Sequence, residues 1–158
     1  MIPRSGVVAL RALLAMVEEP QRWRSGAELA AEQELPGPFL EQVLLRLRRA
    51  GVLEARRGRH GGYRLLRPAD ALSLAEILSA VAADPQPPPP LASPGGASDG
   101  AGASPAAHAA ASRVTNALQR RLQAALQREL QRLSLEDLRH DLRSSRAALS
   151  EEGGLLLG

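Results

Sequence analysis

Apolar residues recur at helical spacing near the start of the chain. The segment Val7–Val17 (VVALRALLAMV), interrupted by one arginine, predicts a first helix over about Gly6–Glu18 that ends before a proline. Ser25-Gly-Ala-Glu28 then has the spacing of a capping box, in which the serine hydroxyl accepts from a free amide and the glutamate reaches back. This box predicts a second helix over about Gly26–Gln33.

A third helix is predicted after the tight turn Leu35-Pro-Gly-Pro38, because proline suits the first position of a helix. Its apolar residues form one stripe at positions i, i+3, i+4 and i+7, namely Leu40, Val43, Leu44 and Leu47. Polar and basic residues lie off that stripe: Glu41, Gln42, Arg46, Arg48 and Arg49. Gly51 is expected to end the helix in the left-handed conformation.

Two short extended segments, Val52–Ala55 and Tyr63–Leu66, flank a tip rich in arginine and glycine, RRGRHGG. Glycine provides the turn between such strands, so the pattern predicts a hairpin with a basic tip, with Tyr63 packed beneath it. A second capping box, Ser73-Leu-Ala-Glu76, predicts a fourth helix through about Ala82. A capped helix, a turn, a polar-faced helix and a basic hairpin follow the order of a winged helix-turn-helix.

The chain changes character at residues 84–111, where four consecutive prolines precede glycine, serine and alanine. This composition buries too little apolar surface to offset chain entropy, so a flexible linker is predicted. From Ser112 an apolar stripe predicts a long helix of roughly 22 residues, about 33 Å. The stripe consists of Val114, Leu118, Leu122, Leu126, Leu130 and Leu133. Ser134-Leu-Glu-Asp137 predicts one further short helix.

Composition supports a helical fold. Aromatic residues make up only 2% of the chain, so its core has to be built from leucine, alanine and valine, which favours packed helices over a sandwich or barrel. The predicted fold class is mainly α with a small β-wing. The predicted parts are a winged helix-turn-helix domain (1–83), a flexible linker (84–111), a dimerisation helix with a short C-terminal helix (112–150) and a tail (151–158).

Charge is distributed unevenly along the chain. Residues 1–67 carry 12 Arg against 7 Glu, a balance of +5, whereas residues 68–158 carry 8 Arg against 10 acidic residues, a balance of −2. An arginine-rich half beside an acidic half indicates a module that binds a polyanion. Neither a signal peptide nor a bilayer-length apolar run is recognised, so a cytoplasmic protein without a membrane partner is expected.

Enzyme activity is not expected. Cysteine is absent, which removes disulfides, thiolate nucleophiles and cysteine-ligated metal or iron–sulfur centres. There is no nucleophile elbow, phosphate loop or pair of carboxylates in a pocket-like context. The three histidines, His60, His108 and His140, lie far apart, so neither a metal site nor a cofactor is predicted.

Four segments together resemble the Rrf-type family of bacterial winged helix-turn-helix transcriptional regulators (IscR, NsrR and CymR type). They are ALRALLAM, LPGPFLEQVLLRLRRAGVLEARRGRHGGYRL, LSLAEILSAV and LSLEDL. The resemblance covers nearly the whole chain. It implies a sequence-specific transcriptional regulator, expected to be a repressor, that binds a partly palindromic operator in double-stranded DNA as a homodimer. The implied dimer interface is formed by Val114, Leu118, Leu122, Leu126 and Leu130.

The resemblance also implies which residues contact DNA. In the family the start of the recognition helix reads bases, and the matching positions here are Pro36, Pro38, Phe39, Glu41 and Gln42. The wing arginine that enters the minor groove matches Arg57. Family members often have hydroxyl residues where this chain has Pro36 and Pro38, so their operator sequence does not carry over. Phosphate contacts are expected from Arg59 and His60, and in part from Arg46, Arg48 and Arg49.

Each of these contacts has a structural alternative. A carboxylate can accept from cytosine and an amide can pair with adenine, but Glu41 and Gln42 also suit a solvated helix surface. Arg57 could instead pair with Glu54. At the level of the whole chain, the rival function is a protein–protein adaptor whose basic face binds an acidic protein. A hydrophobic patch beside Phe39 and Leu45 would favour that adaptor.

Sensing members of the family hold an iron–sulfur cluster with three cysteines just before the long helix. This chain has proline, glycine, serine and alanine there. The resemblance therefore implies the fold and DNA binding without cluster sensing, and regulation is expected through a bound protein or a small ligand.

Overall fold

The computed structural model describes residues 2–82 and 105–154. The helices are α1 (Arg4–Val17), α2 (Gly26–Gln33), α3 (Gly37–Arg49), α4 (Leu74–Val81), α5 (Pro105–Arg132) and α6 (Leu135–Gly154). The strands are β1 (Leu53–Arg56) and β2 (Gly62–Leu65), and a 3-10 turn covers Ala69–Ala71. The predicted fold class, mainly helical with a small β-wing, is confirmed.

The chain divides into two compact units: Met1–Ala83 together with Leu130–Gly158, and Asp84–Glu129. In the first unit, α1, α3 and α4 pack against one another around a leucine-rich core. Its largest fully buried side chains include Leu13, Met16, Leu40, Leu44, Leu47, Ile77 and Leu135. The last of these belongs to α6, so the C-terminal helix contributes to the core of the winged domain.

Helix boundaries in the first unit agree with the sequence pattern to within about a turn. α1 begins at Arg4, two residues earlier than predicted, because the extended residue Pro3 stands directly before it and accepts from the amide of Val7. Gly51 follows α3 with φ +75°, the left-handed end that was predicted. Ser25 and Ser73 both cap their helices, each accepting from the amide three residues ahead.

The wing is an antiparallel hairpin in which Leu53 faces Leu65 and Arg56 faces Gly62. Its second strand gains a further neighbour from the segment before α2. Arg24 N–H donates to the Tyr63 carbonyl over 2.9 Å, and Tyr63 N–H donates to the Arg24 carbonyl over 2.8 Å. These two hydrogen bonds join the base of the wing to the segment that precedes α2.

Two Leu-Ser-Leu segments, Leu72–Leu74 and Leu133–Leu135, pair with each other in antiparallel fashion. Leu74 N–H donates to the Leu133 carbonyl over 2.8 Å, and Leu135 N–H donates to the Leu72 carbonyl over 2.9 Å. The middle residue of each segment is a capping serine, and a helix begins at the leucine that follows it, α4 in one case and α6 in the other. The pairing anchors the start of α6 beside the start of α4.

The helices after the linker are longer than the sequence indicates. Residues 83–104, most of the predicted linker, lie outside the described residues, and from Pro105 the chain is helical. Alanine-rich sequence after a proline extends α5 by seven residues ahead of Ser112, since alanine is the best helix former. α6 runs for 20 residues and packs against α1 and the 3-10 turn. No helix in the described residues is both long and apolar enough to cross a membrane.

Candidate nucleic-acid interface

The turn between α2 and α3 forms the centre of a helix-turn-helix. Glu34 adopts the left-handed conformation at φ 52°, ψ 49°, which ends α2. The amide of Leu35 then donates to the Ala30 carbonyl over 2.9 Å. Pro36 is extended and precedes α3. Pro38 lies in the first turn of α3, where backbone N–H groups have no partner within the helix, so the N–H that proline lacks costs no hydrogen bond.

α3 buries one face and exposes the other. Its buried residues are the predicted stripe: Leu40, Val43, Leu44 and Leu47. Its exposed residues include Pro38, Glu41, Gln42, Leu45, Arg48 and Arg49. Gln42 makes no side-chain hydrogen bond within the described residues, so its amide is available to an external partner.

Glu41 is exposed but tethered on two sides. Its Oε2 accepts a hydrogen bond from the Tyr63 hydroxyl over 3.1 Å, which joins α3 to β2. Its Oε1 occupies the space above Gly26, where a Cβ would lie only 1.8 Å away. Burial and the neighbouring Glu41 carboxylate raise the pKa of Tyr63, while Arg48 opposes them. Tyr63, which the sequence assigns to packing beneath the wing, therefore also positions the recognition helix.

Two of the residues predicted to contact DNA have partners inside the fold. Phe39 is partly buried against the core, and the Arg4 guanidinium lies 5.3 Å from the centre of its ring. Arg46 Nη1 donates to the Val81 carbonyl at the end of α4 over 3.1 Å. Both side chains therefore make contacts that stabilise the fold. The contact between Arg46 and a DNA phosphate stays a prediction. Of the two residues whose apolar patch would favour a protein partner, Phe39 is therefore partly buried, whereas Leu45 is 39% exposed.

The tip of the wing presents cations that have no acidic partner. Arg57, Arg59 and His60 are exposed, and none makes an ion pair within the part of the chain that the structure describes. Gly61 is required at the turn because a Cβ there would lie 2.1 Å from the Arg56 carbonyl oxygen. The tip is therefore a tight turn that displays the positive charge of Arg57 and Arg59.

Glu54 pairs with Arg64 on the neighbouring strand. The alternative that placed Glu54 beside Arg57 is therefore wrong. The same Arg64 guanidinium lies 4.5 Å from the centre of the Trp23 ring, and Arg56 lies 5.7 Å from it. Cross-strand pairing and cation–π contacts thus hold the wing strands and leave Arg57 exposed beyond them.

Arg24 is a buried charge that sequence reasoning missed. Its side chain is 4% exposed, its Nη1 donates to the Ala15 carbonyl over 3.0 Å, and its guanidinium pairs with Glu28 and Glu32 on α2. Because the backbone of Arg24 also pairs with Tyr63, one residue joins α1, α2 and the wing. The sequence signal for this ion-pair cluster is that Glu28 and Glu32, four and eight residues after Arg24, share one face of α2.

The stripe on α5 is exposed along the helix. Val114, Leu118, Leu122 and Leu126 are 69%, 55%, 62% and 53% exposed. Four large apolar side chains at intervals of four residues form a continuous apolar surface on one helix face. Leu130 differs, because it is partly buried and packs against the core of the first unit. Leu130 therefore packs within its own chain, and its contact with a second subunit stays a prediction.

Metal and cluster ligands are lacking. Iron–sulfur clusters need thiolates, with histidine replacing some of them in Rieske centres, and this chain contains no cysteine. Within the described residues, no group of three or more histidine, aspartate and glutamate side chains has the arrangement of a metal site. His60 lies on the wing and His140 on α6 beside Glu136, while the side chain of His108 lies outside the description. These residues do not fit an iron centre.

A helix-turn-helix whose second helix is exposed, followed by a basic hairpin, is the arrangement of a winged helix-turn-helix domain. The family model described as "Rrf2: Iron-dependent Transcriptional regulator" matches residues 2–141. The chain belongs to this family of transcriptional regulators, which are not enzymes, and the predicted resemblance is confirmed. The cysteine-free sequence departs from the family's description as iron-dependent.

Relatives and solved structures agree with this assignment. The HTH-type transcriptional regulator IscR of Cereibacter sphaeroides is 42% identical over 76 residues, which are 44% of this chain and 49% of the relative. The chain thus spans about half the length of the curated relatives it matches. Among solved structures, IscR of T. potens has a TM-score of 0.66 at 20% identity, covering 92% of this chain and 90% of that one. The global cysteine regulator CymR of B. subtilis has a TM-score of 0.63 at 23% identity, covering 89% and 96%.

Proposed function

We propose that this regulator binds a partly palindromic operator as a homodimer, with α3 in the major groove and the wing at the flanking minor groove. The observation that carries the proposal is the wing tip, where Arg57, Arg59 and His60 are exposed and make no ion pair with any residue that the structure describes. Exposed arginines on a tight turn suit a phosphate backbone, because neutralising phosphates releases condensed counterions. The Tyr63–Glu41 hydrogen bond fixes this tip relative to the exposed face of α3.

The side chains of this surface have different tasks in the proposal. Gln42 reads base edges, since its amide can form two hydrogen bonds with adenine. Arg57 enters the minor groove, and Arg59 with His60 contacts phosphates. Glu41 acts first as a positioning residue, because its Oε2 accepts from the Tyr63 hydroxyl and its Oε1 fills the space where Gly26 has no side chain.

The homodimer rests on α5. Val114, Leu118, Leu122 and Leu126 expose a row of apolar side chains that would be costly to leave in water. A second copy of the same helix buries such a row by two-fold symmetry, the commonest arrangement in oligomers. Two helix-turn-helix units joined in this way read two half-sites about one helical turn, or a small multiple of it, apart.

Regulation is proposed to act without an iron–sulfur cluster, since the chain offers no thiolate. Operator occupancy is proposed to repress transcription by blocking the site. A protein–protein adaptor is the alternative, and exposed Leu45 would be its apolar contact, whereas the Phe39 ring is partly buried with Arg4 over it.

Sedimentation equilibrium tests the dimer and its link to DNA binding. Leu122→Asp places a charge in the middle of the exposed row, where burial against a second copy would cost several kcal/mol, on the order of an unpaired buried charge. Leu149→Asp is the matched control, because Leu149 is equally exposed at 68% but lies on α6, outside the row. We expect Leu122→Asp alone to sediment as a monomer and to lose operator affinity. An operator-binding dimer in Leu122→Asp would place the interface elsewhere.

A further inference from the structure

A cavity of about 550 Å³ lies in the first unit, away from the wing tip and the exposed face of α3. Its walls come from the end of α1 and the loop after it, the end of β2, the 3-10 turn and α6. This volume is within the range of small-ligand sites in proteins. One side of the cavity is apolar, formed by Val17, Pro20, Leu65 and Leu66.

Charged side chains of both signs line the rest of the cavity, and they are not equally satisfied. Arg67 is fully engaged: it donates to the carbonyls of Gly51 and Ala71 and pairs with Glu76. Arg139 pairs with Glu136 through Nη2, but its Nε is buried without a hydrogen-bond partner in the described residues. A buried donor without an acceptor is destabilising, so such groups in native proteins usually have an external partner.

Asp70 is an acidic residue of the same lining. It lies in the 3-10 turn, lines the cavity and is exposed, and its carboxylate makes no ion pair or hydrogen bond within the described residues. The 3-10 turn packs against α6, which carries Arg139. The cavity is therefore lined by the partly exposed Arg139, by a carboxylate without a partner in the described residues and by apolar side chains.

We propose that this cavity binds a free α-amino acid with an apolar side chain. The ligand's carboxylate pairs with the exposed part of the Arg139 guanidinium, its ammonium group pairs with Asp70, and its side chain packs on Val17, Pro20 and Leu65. The lining carries two arginines and two acidic residues, so a zwitterion without net charge matches its electrostatics better than a simple anion or cation does.

The position of the cavity connects a bound ligand to the DNA-binding surface. Arg67 lines it and also holds the carbonyl of Gly51, the residue that ends α3. Leu65 lies at the end of β2, and Arg139 lies on the helix that follows α5. A ligand that contacts these groups would change the position of the wing and α3 relative to α6. Ligand binding would in this way change the affinity for the operator.

Isothermal titration calorimetry of the full chain against each of the twenty amino acids tests the site. We expect at least one apolar amino acid to bind with a dissociation constant below about 1 mM. N-acetylation removes the ammonium charge and α-amidation removes the carboxylate, so each derivative should bind at least tenfold more weakly. Asp70→Asn and Arg139→Gln should each weaken binding of the unmodified amino acid at least tenfold. Because no DNA is present, failure here is distinguishable from failure of the proposed operator binding.

Asp141→Asn and Arg146→Gln are the matched controls, since both residues are exposed on α6 and neither lines the cavity. They should bind the amino acid like the unaltered chain. Three results would overturn the proposal: no binding by any amino acid, equal binding of the N-acetylated form, or an equal loss in the controls. The derivatives are measured on the unaltered protein, so the test holds even if a variant fails to fold.

Discussion

The Tyr63 hydroxyl donates a hydrogen bond to Glu41 Oε2 over 3.1 Å, and this contact joins the second wing strand to the recognition helix. The two residues are 22 positions apart, on the two elements that a winged helix protein presents to DNA. A fixed separation of these elements is required if helix and wing are to enter neighbouring grooves together. The pair therefore sets the geometry of the DNA-binding surface.

The pKa of Tyr63 reports on this contact directly, because Tyr63 is the only tyrosine in the chain. Burial and the Glu41 carboxylate raise its pKa in the folded protein. The folded state thus favours neutral tyrosine, and the free energy of unfolding should fall as pH rises past about 10. Absorbance titration near the tyrosinate band should give an apparent pKa above that of free tyrosine. An unshifted value would contradict the contact.

Glu41→Gln should lower the raised pKa only in part, because burial, its largest cause, remains. Gly26→Ala should have a similar effect, because the new methyl group would displace the Glu41 carboxylate from the space that it occupies. Gly37→Ala is the control, since a Cβ there meets nothing within 4 Å. A Tyr63 pKa that responds to Gly37→Ala as strongly as to Gly26→Ala would refute the proposed geometry.

The sequence predicts the order of elements well because each one carries a local signal. Ser25 and Ser73 start helices, Gly51 ends one, and glycines mark the wing turn. The predicted DNA-binding residues are less certain from sequence, since Arg46 and Arg57 look alike in the chain. Only the fold shows that Arg46 reaches the Val81 carbonyl while Arg57 has no acidic neighbour among the described residues.

Long-range contacts were beyond the reach of sequence patterns. The buried position of Arg24 depends on its pairing with Tyr63, 39 residues further on, and no local pattern encodes that approach. The length of α6 was underestimated for a similar reason. Its C-terminal half is polar, but its first turns bury Leu135 and place Leu138 against the core, which stabilises the helix beyond its intrinsic propensity.

Removing the Arg24 guanidinium should destabilise the fold much more than removing an exposed one. Arg24→Met leaves the Ala15 carbonyl and the carboxylates of Glu28 and Glu32 without their donor, at a cost of about 3 kcal/mol. Arg22→Met, the control, removes two exposed ion pairs, with Glu19 and Glu28, each worth about 0–1 kcal/mol. Urea denaturation measures both changes. Equal losses in the two variants would show that burial of Arg24 contributes little.

Substitutions should distinguish the residue that reads bases from the residues that contact phosphates. Gln42→Ala should change which operator bases are preferred, by roughly 1–3 kcal/mol at one position, because a base-edge contact is lost. Arg59→Ala should weaken binding to all duplexes alike, since phosphate contacts carry no sequence information. Arg57→Ala should matter most where the flanking minor groove is narrow and A·T-rich. Equal losses on operator and random DNA for Gln42→Ala would remove Gln42 from base readout.

Iron should have no effect on this regulator. Anaerobic reconstitution with iron and sulfide should leave the protein colourless and without stoichiometric iron, because the chain has no thiolate to hold a cluster. Operator affinity measured before and after that treatment should be the same. Bound iron that changed the affinity would refute regulation without a cluster.

The salt dependence of operator affinity tests the central claim most directly. After selection of a bound sequence from a random duplex pool, the dissociation constant is measured between 50 and 200 mM salt. A dimer that neutralises about 6–10 phosphates through two wings and two recognition helices should lose about 10³–10⁵ in affinity over that range. The logarithmic slope should lie at roughly −5 to −9, and Arg59→Ala should make it less steep. Affinity for duplex DNA that is independent of salt, or no selected sequence at all, would contradict operator binding and favour a protein partner.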